Sequence, residues 1–126
     1  MGAGIVIQAK DTKRLLITKR ADYKSDQHRS KWDFAGGTAE EGESPLETAV
    51  REVREEIGKL PESLRIWSHF ESPTYVLYVG TVEHEWEPTL SHEHVAWKWV
   101  TYPDLKAYEL HPKDARFAGR LRNVLI

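Results

Sequence analysis

Residues 37–58 read GTAEEGESPLETAVREVREEIG, with Gly37, Glu43, Arg51, Glu52, Glu55, Glu56 and Gly58 at its marked positions. At about 100° per residue on a helix, Glu52, Glu55 and Glu56 project from one side within roughly 100° of arc. Like charges at these spacings repel, so a cation bound among them lowers the free energy, and an all-oxygen set suits Mg²⁺ or Mn²⁺ better than zinc. On the other side, Leu46, Ala49, Val50, Val53 and Ile57 recur at helical spacing, which predicts one face against a core and the acids on the free face. Ser44 is placed to cap the helix, Pro45 suits the first helical position, Glu47 completes a capping box, and Gly58 supplies the stop. A helix from Ser44 to Ile57 is predicted.

In order and spacing this stretch resembles the Nudix box: Gly37, five residues, Glu43, seven residues, then Arg51-Glu52-Val53-Arg54-Glu55-Glu56-Ile57-Gly58. Lys59 stands where an aliphatic residue is usual, with Leu60 one position later, a departure at the helix end and away from the acids. Trp32-Asp33-Phe34-Ala35-Gly36-Gly37 is similar to the aromatic strand and Gly-Gly turn that lead into the box in relatives, many of which carry Pro at the place of Ala35. An isolated Glu-x-x-Glu-Glu is ordinarily a solvated helix face. Such faces tend to interleave lysines four residues after their glutamates, whereas only Arg51 and Arg54 precede Lys59 here.

The resemblance implies an α/β/α sandwich with a central mixed sheet, Mg²⁺ as cofactor with Mn²⁺ as substitute, and hydrolysis of a pyrophosphate linkage in a nucleoside diphosphate-linked compound. The first substrate class it implies is a (deoxy)nucleoside triphosphate cleaved to monophosphate and pyrophosphate, as in the MutT-like members. Dinucleoside polyphosphates and ADP-ribose are the alternatives. A nucleotide-binding module without turnover is the alternative of another class, against which the complete set of box carboxylates counts. By the same resemblance Glu52, Glu55 and Glu56 are metal ligands, the Gly36 carbonyl adds a further donor, one glutamate assists proton removal, and Glu43 braces the loop into the helix. Arg51 receives an orienting role, and its place four residues after Glu47 and four before Glu55 suits an ion pair that serves structure and catalysis alike. Relatives often supply another acid from a late loop. In Ser91-His92-Glu93-His94-Val95-Ala96-Trp97 that acid is Glu93, as metal ligand or base, while His92 and His94 read as exposed loop histidines.

The rest of the chain sets bounds. Its 126 residues suit a single domain, 1–126, with a real core. With 18 basic and 20 acidic residues the net charge is −2, so no broad nucleic-acid-binding surface is expected and the partner is a small-molecule nucleotide. Cysteine is absent, which excludes disulfides and thiolate chemistry and agrees with a reducing compartment. No run reaches transmembrane length and Met1-Gly2-Ala3-Gly4 opens no charged leader, so a soluble, cytoplasmic protein is expected, with monomer or homodimer left open.

Gly4 to Ala9 and Arg14 to Lys19 read as a hairpin across Lys10 to Lys13, and Ala21 to Lys31 as an exposed loop before a short strand at Trp32 to Phe34. Leu64 to Glu71, Thr74 to Val82 and Val95 to Val100 read as strands, Thr101 to Tyr108 as a short helix, and His111 to Leu125 as a closing helix. Lys19 and Arg20 are the candidates for substrate phosphate, ahead of Arg29 and Lys31. Trp67, Trp97 and Trp99 lie in apolar strand patterns and are expected in the core. Trp32 and Tyr75 are the candidates to stack on a base, with packing the favoured single role for Trp32.

Overall fold

In a computed structural model that describes residues 1–126, the chain runs β1 (Gly2–Ala9), β2 (Leu15–Arg20), β3 (Trp32–Asp33), β4 (Gly36–Thr38), α1 (Pro45–Ile57), β5 (Arg65–Glu71), β6 (Tyr75–Val82) and β7 (His94–Val100). A 3₁₀ turn at Pro103–Ala107 and α2 (Pro112–Leu121) close it. The strands form one seven-stranded mixed sheet, ordered β3-β2-β1-β6-β5, with β4 added to β1 and β7 to β2. β1 is buried at every residue, as befits a central strand covered on both faces, and it runs parallel to β6 from Gly2–Tyr75 to Ala9–Val82. One face meets α1 through Ile5, Ile7, Ala49, Val53 and Ile57; the other packs Val6, Ile17, Phe34 and Leu77 against Phe117 and Leu121. This is the α/β/α sandwich with a central mixed sheet, and no helix in it is long and apolar enough to cross a membrane.

The expected hairpin of β1 and β2 forms, but the two strands pair only next to their turn, at Gln8–Leu15. Beyond that point they splay, and residues 32–38 enter the gap. β3 pairs with β2 at Thr18–Asp33 and Lys19–Trp32, whereas β4 pairs with β1 from Gly2–Thr38 to Gly4–Gly36. The opening is what lets backbone from the middle of the sheet reach α1.

Three apolar assignments are corrected. Trp67 is 48% exposed because it sits at a bulge on edge strand β5, where the register shifts between Ile66 and Ser68. Trp97 is 36% exposed on β7, a strand paired on one side only, while Trp99 is buried as expected. Leu46, at 44% exposed, lies in the first turn of α1 and contributes nothing to the buried stripe. The closing helix is also shorter than expected, and His111 caps it by accepting the Lys113 N–H on Nδ1 at 3.0 Å.

Helix α1 is pinned at both ends. Ser44 Oγ accepts the Glu47 N–H at 3.2 Å and the Ser44 N–H donates to Glu47 Oε1 at 2.9 Å, closing the predicted capping box. At the other end Gly58 adopts φ 84°, the left-handed region glycine tolerates. The last carbonyls are taken by a later loop, Thr89 N–H on Ile57 O and Ser91 N–H on Glu56 O, both at 3.0 Å. Replacing Ser44 with Ala removes the cap and costs about 1 kcal/mol of stability, which urea unfolding will register as a lower midpoint at unchanged slope.

Candidate active site

Arg51 organises the front of the acidic patch. Its Nε and Nη2 grip Glu43 at 2.6 and 2.9 Å, Nη2 also donates to the Thr38 carbonyl at 3.0 Å, and Nη1 reaches Glu52 at 2.9 Å and Glu55 at 3.2 Å. This forked contact ties the β4–α1 loop to the helix and aims two carboxylates at once. Glu43 also accepts from the Glu40 N–H at 2.8 Å and the Thr48 hydroxyl at 3.0 Å. The Arg51 guanidinium and these donors hold its carboxyl down to about 2.

Glu56 lies deeper, 4% exposed, and is differently served. Its Oε2 accepts the Gly36 N–H at 3.3 Å, while Oε1 is buried with no hydrogen-bond partner. Burial, with added repulsion from Asp33, Glu52 and Glu93, pushes its carboxyl up to about 9 against the pull of Lys113. Burial also raises Glu52, although Arg51 opposes the shift. Gly37 makes this crowding feasible, because a β-carbon there would fall on the Glu52 carboxylate.

Behind the acids lies a buried polar group that sequence reasoning left unassigned. Asp33 on β3 accepts from Thr18 Oγ1 at 2.8 Å, His94 Nε2 at 3.0 Å and Arg20 Nη1 at 3.2 Å. Burial opposes its charge, but Lys113, His94 and Thr18 outweigh that and hold it down to about 2. Lys113 Nζ donates to the Phe34 carbonyl at 2.8 Å and to Asp114 at 2.7 Å, and Asp114 accepts the Phe34 N–H at 3.0 Å. Burial drives the Asp114 carboxyl up to about 6 despite Lys113. The signals were slight: Asp33 stood inside the aromatic turn, and Lys113-Asp114 followed Pro112 at a helix start.

In one cleft of about 510 Å³, Gly36, Gly37, Glu52, Glu55, Glu56 and Glu93 meet Arg20, His111, Lys113 and Tyr75. Of the predicted phosphate contacts, Arg20 borders the cleft, its guanidinium already paired with Asp26 and Asp33 at 2.8 and 3.2 Å. Lys19 does not border it, since alternation along β2 turns it to the sheet face opposite Thr18 and Arg20. Trp32 is also absent from the cleft and packs edge-on against Tyr108 at 5.2 Å. Tyr75 is 6% exposed beneath it, its ring under the Lys113 ammonium at 5.3 Å, so the ring presents no free face to a base. His94, expected on an exposed loop, is buried as the first residue of β7.

A divalent cation suits the donors present. They are all oxygens, Glu56 Oε1 lacks a partner, and the carboxyls of Glu52 and Glu56, raised first by burial and then by neighbouring acids, are groups that a bound cation would help to ionise. Glu52, Glu55, Glu56, the Gly36 carbonyl and Glu93 are within the group that would hold it.

A family model described as the NUDIX domain matches residues 1–121. The 8-oxo-dGTP diphosphatase of Escherichia coli (strain K12) is 29% identical over 120 residues, covering 90% of each chain. Nudix hydrolase 3 of Caenorhabditis elegans is 40% identical over 68 residues, 54% of this chain, which spans 27% of that protein's length. In fold, the chain is similar to a Caenorhabditis elegans Ap4A hydrolase binary complex at a TM-score of 0.78 and 23% identity, covering 98% of this chain and 96% of that one.

Two outcomes test the site. Because Glu56 keeps its proton up to about pH 9 when folded but only in the ordinary range near 4.5 when unfolded, the folded state holds the extra proton between those values. Its contribution to metal-free stability therefore falls as pH rises through that window. Urea unfolding in EDTA across that range will show this decline, and Glu56→Gln will remove that part of the slope. Gly37→Ala will keep the fold, seen by circular dichroism, yet weaken Mn²⁺ binding roughly tenfold by displacing Glu52, as isothermal titration will report.

Proposed function

The chain belongs to the NUDIX family, and from that premise we propose that residues 1–126 act as one divalent-metal-dependent hydrolase domain that cleaves a pyrophosphate linkage in a nucleotide-type substrate. The observation that carries this reading is the convergence of Glu52, Glu55 and Glu56 on a cleft where one oxygen of Glu56 is left without a partner. Supporting the enzyme over a silent binding module is the complete set of box carboxylates.

Mg²⁺ or Mn²⁺ held by the three glutamates, the Gly36 carbonyl and Glu93 would neutralise diphosphate oxygens and acidify the attacking water. Arg51 keeps Glu52 and Glu55 aimed, so their placement costs no reorganisation when substrate arrives. Glu93 is exposed at the cleft, engaged in no ion pair, and serves as proton acceptor or as a further ligand. Arg20 and Lys113 bring positive charge to the cleft for phosphate, whereas His111 stays neutral. Burial, with Lys113, His28 and Arg20 nearby, pushes its imidazole down to about 4.

The substrate class we favour is a (deoxy)nucleoside triphosphate yielding monophosphate and pyrophosphate. It is supported by the likeness, over 90% of both chains, to the bacterial 8-oxo-dGTP diphosphatase. With Trp32 outside the cleft and Tyr75 buried beneath it, neither side chain gives the cleft an aromatic platform for a base. The absence of cysteine agrees with a cytoplasmic setting, which we include in the proposal.

A panel of dNTPs, oxidised dNTPs, dinucleoside polyphosphates and ADP-ribose, assayed with Mg²⁺ or Mn²⁺ and with product identification, tests the reading. Pyrophosphate release from a triphosphate, abolished by EDTA and reduced by about 10²-fold or more in Glu56→Gln, is the expected result. Turnover that survives EDTA, or an unimpaired Glu56→Gln enzyme, overturns the mechanism. Preferential cleavage of a dinucleoside polyphosphate or ADP-ribose replaces the substrate while leaving the chemistry in place.

A further inference from the structure

Three elements distant in sequence meet behind Glu56. From β3 comes Asp33, from β7 His94 and from α1 Glu56 itself, all buried. His94 Nε2 lies 3.0 Å from Asp33 Oδ1 and 3.6 Å from Glu56 Oε1, the oxygen with no other neighbour to bind it. At 3.0 Å the imidazole donates to Asp33; at 3.6 Å it is too far for a hydrogen bond and walls Oε1 in without occupying it. The opposite oxygen is held by the Gly36 N–H at 3.3 Å. Glu56 is thus clamped between a backbone amide and an imidazole whose own orientation Asp33 sets.

Nor is the imidazole free to drift. Ser91 N–H on the Glu56 carbonyl and Ala21 N–H on the Glu93 carbonyl strap the segment before His94 to α1 and to the end of β2. Asp33 is in turn fixed by Thr18 and Arg20. Resting on the metal-dependent reading above, we infer that His94, oriented by Asp33, is the positioning residue that keeps the unpartnered oxygen of Glu56 aimed for the cation.

The same three side chains offer ligand atoms within 4.8 Å of one another, so a metal directly between them is the competing arrangement. Charge argues against it. Asp33 already faces Arg20 at 3.2 Å and Lys113 at 3.9 Å, and a cation inserted there would displace the His94 proton and meet both of these positive groups.

The test is Mn²⁺ titration followed by electron paramagnetic resonance on wild-type, His94→Gln and His94→Ala protein, each also in the Glu56→Gln background, with near-ultraviolet circular dichroism to verify folding. His94→Ala is expected to weaken Mn²⁺ binding by about 10- to 100-fold. His94→Gln, whose amide can still donate to Asp33 and fill the space beside Oε1, recovers most of that loss and stays informative should the alanine variant fail to fold. In the Glu56→Gln background neither change weakens binding further, since the residue being positioned is already lost. Undiminished Mn²⁺ affinity in a folded His94 variant, or losses that simply add to that of Glu56→Gln, overturns the inference while leaving the metal-dependent reading intact. A nitrogen hyperfine coupling to bound Mn²⁺ that disappears in His94→Gln makes His94 a ligand and overturns it too. Wild-type protein that takes up no Mn²⁺ sinks the metal-dependent reading and this inference with it.

Discussion

A carboxylate almost wholly removed from water, set among other carboxylates, is the constraint around which this molecule is arranged. Glu56 is held near the end of α1 with Glu52 and Glu55 beside it, and each of the three repels the others. Burying such a group without a full counter-charge is unfavourable, so the surrounding fold must supply partial compensation and leave the remainder to a ligand. Arg51 compensates Glu52 and Glu55 from the outside, the Gly36 amide touches Glu56 from the sheet, and Lys113 acts on Glu56 from α2. What is left over appears as the raised carboxyl of Glu56 and its unpartnered oxygen.

The sheet makes that arrangement sterically feasible. If β1 and β2 paired along their full length, residues 32–38 would have no place beside them, and neither Asp33 nor the Gly36-Gly37 backbone would reach α1. Splaying after Gln8–Leu15 opens the sheet on the side where the acids lie. Gly37 then allows Glu52 to lie against the strand, because it has no side chain to compete for the same space. Opening of the ladder, close approach of a glycine and convergence of the acids are one structural event viewed from three elements.

The cleft consequently has two characters. Acids from α1 and the loop before β7 meet cations from β2 and α2 across it, so a ligand that carries its own negative charge is matched from one side directly and from the other through a bound cation. Lys113 and Arg20 are pinned by Asp114, Asp26 and Asp33, which makes their charge a fixed feature of the cleft, with little side-chain freedom left to lose on binding.

Helix α1, its caps and its acidic face were legible without any structure because each depends on spacing within a few turns of one helix, and the chain direction fixes which side chains share a face. The bracing role of Glu43, which precedes the helix, and the orienting role of Arg51 were readable only through the resemblance to the box, and spacing alone paired Arg51 with Glu47, which instead serves the Ser44 cap. Trp67, Trp97 and Leu46 were misassigned because apolar pattern reports a face but not whether a neighbouring element covers it, and a bulge, a free strand edge and the first turn of a helix each leave it uncovered. Trp32 packs outside the cleft and Tyr75 lines it from below with its ring covered, because an aromatic residue's place in the sequence does not reveal whether a face of its ring stays open. His94, Asp33 and Lys113 carried no shared local signal; they became one cluster only when β3, β7 and α2 were brought together. Thus the amino-acid order determined the acidic helix and the family it announces, while tertiary structure decided which charges are buried together, since helical periodicity is set by adjacent peptide units and desolvation by neighbours far along the chain.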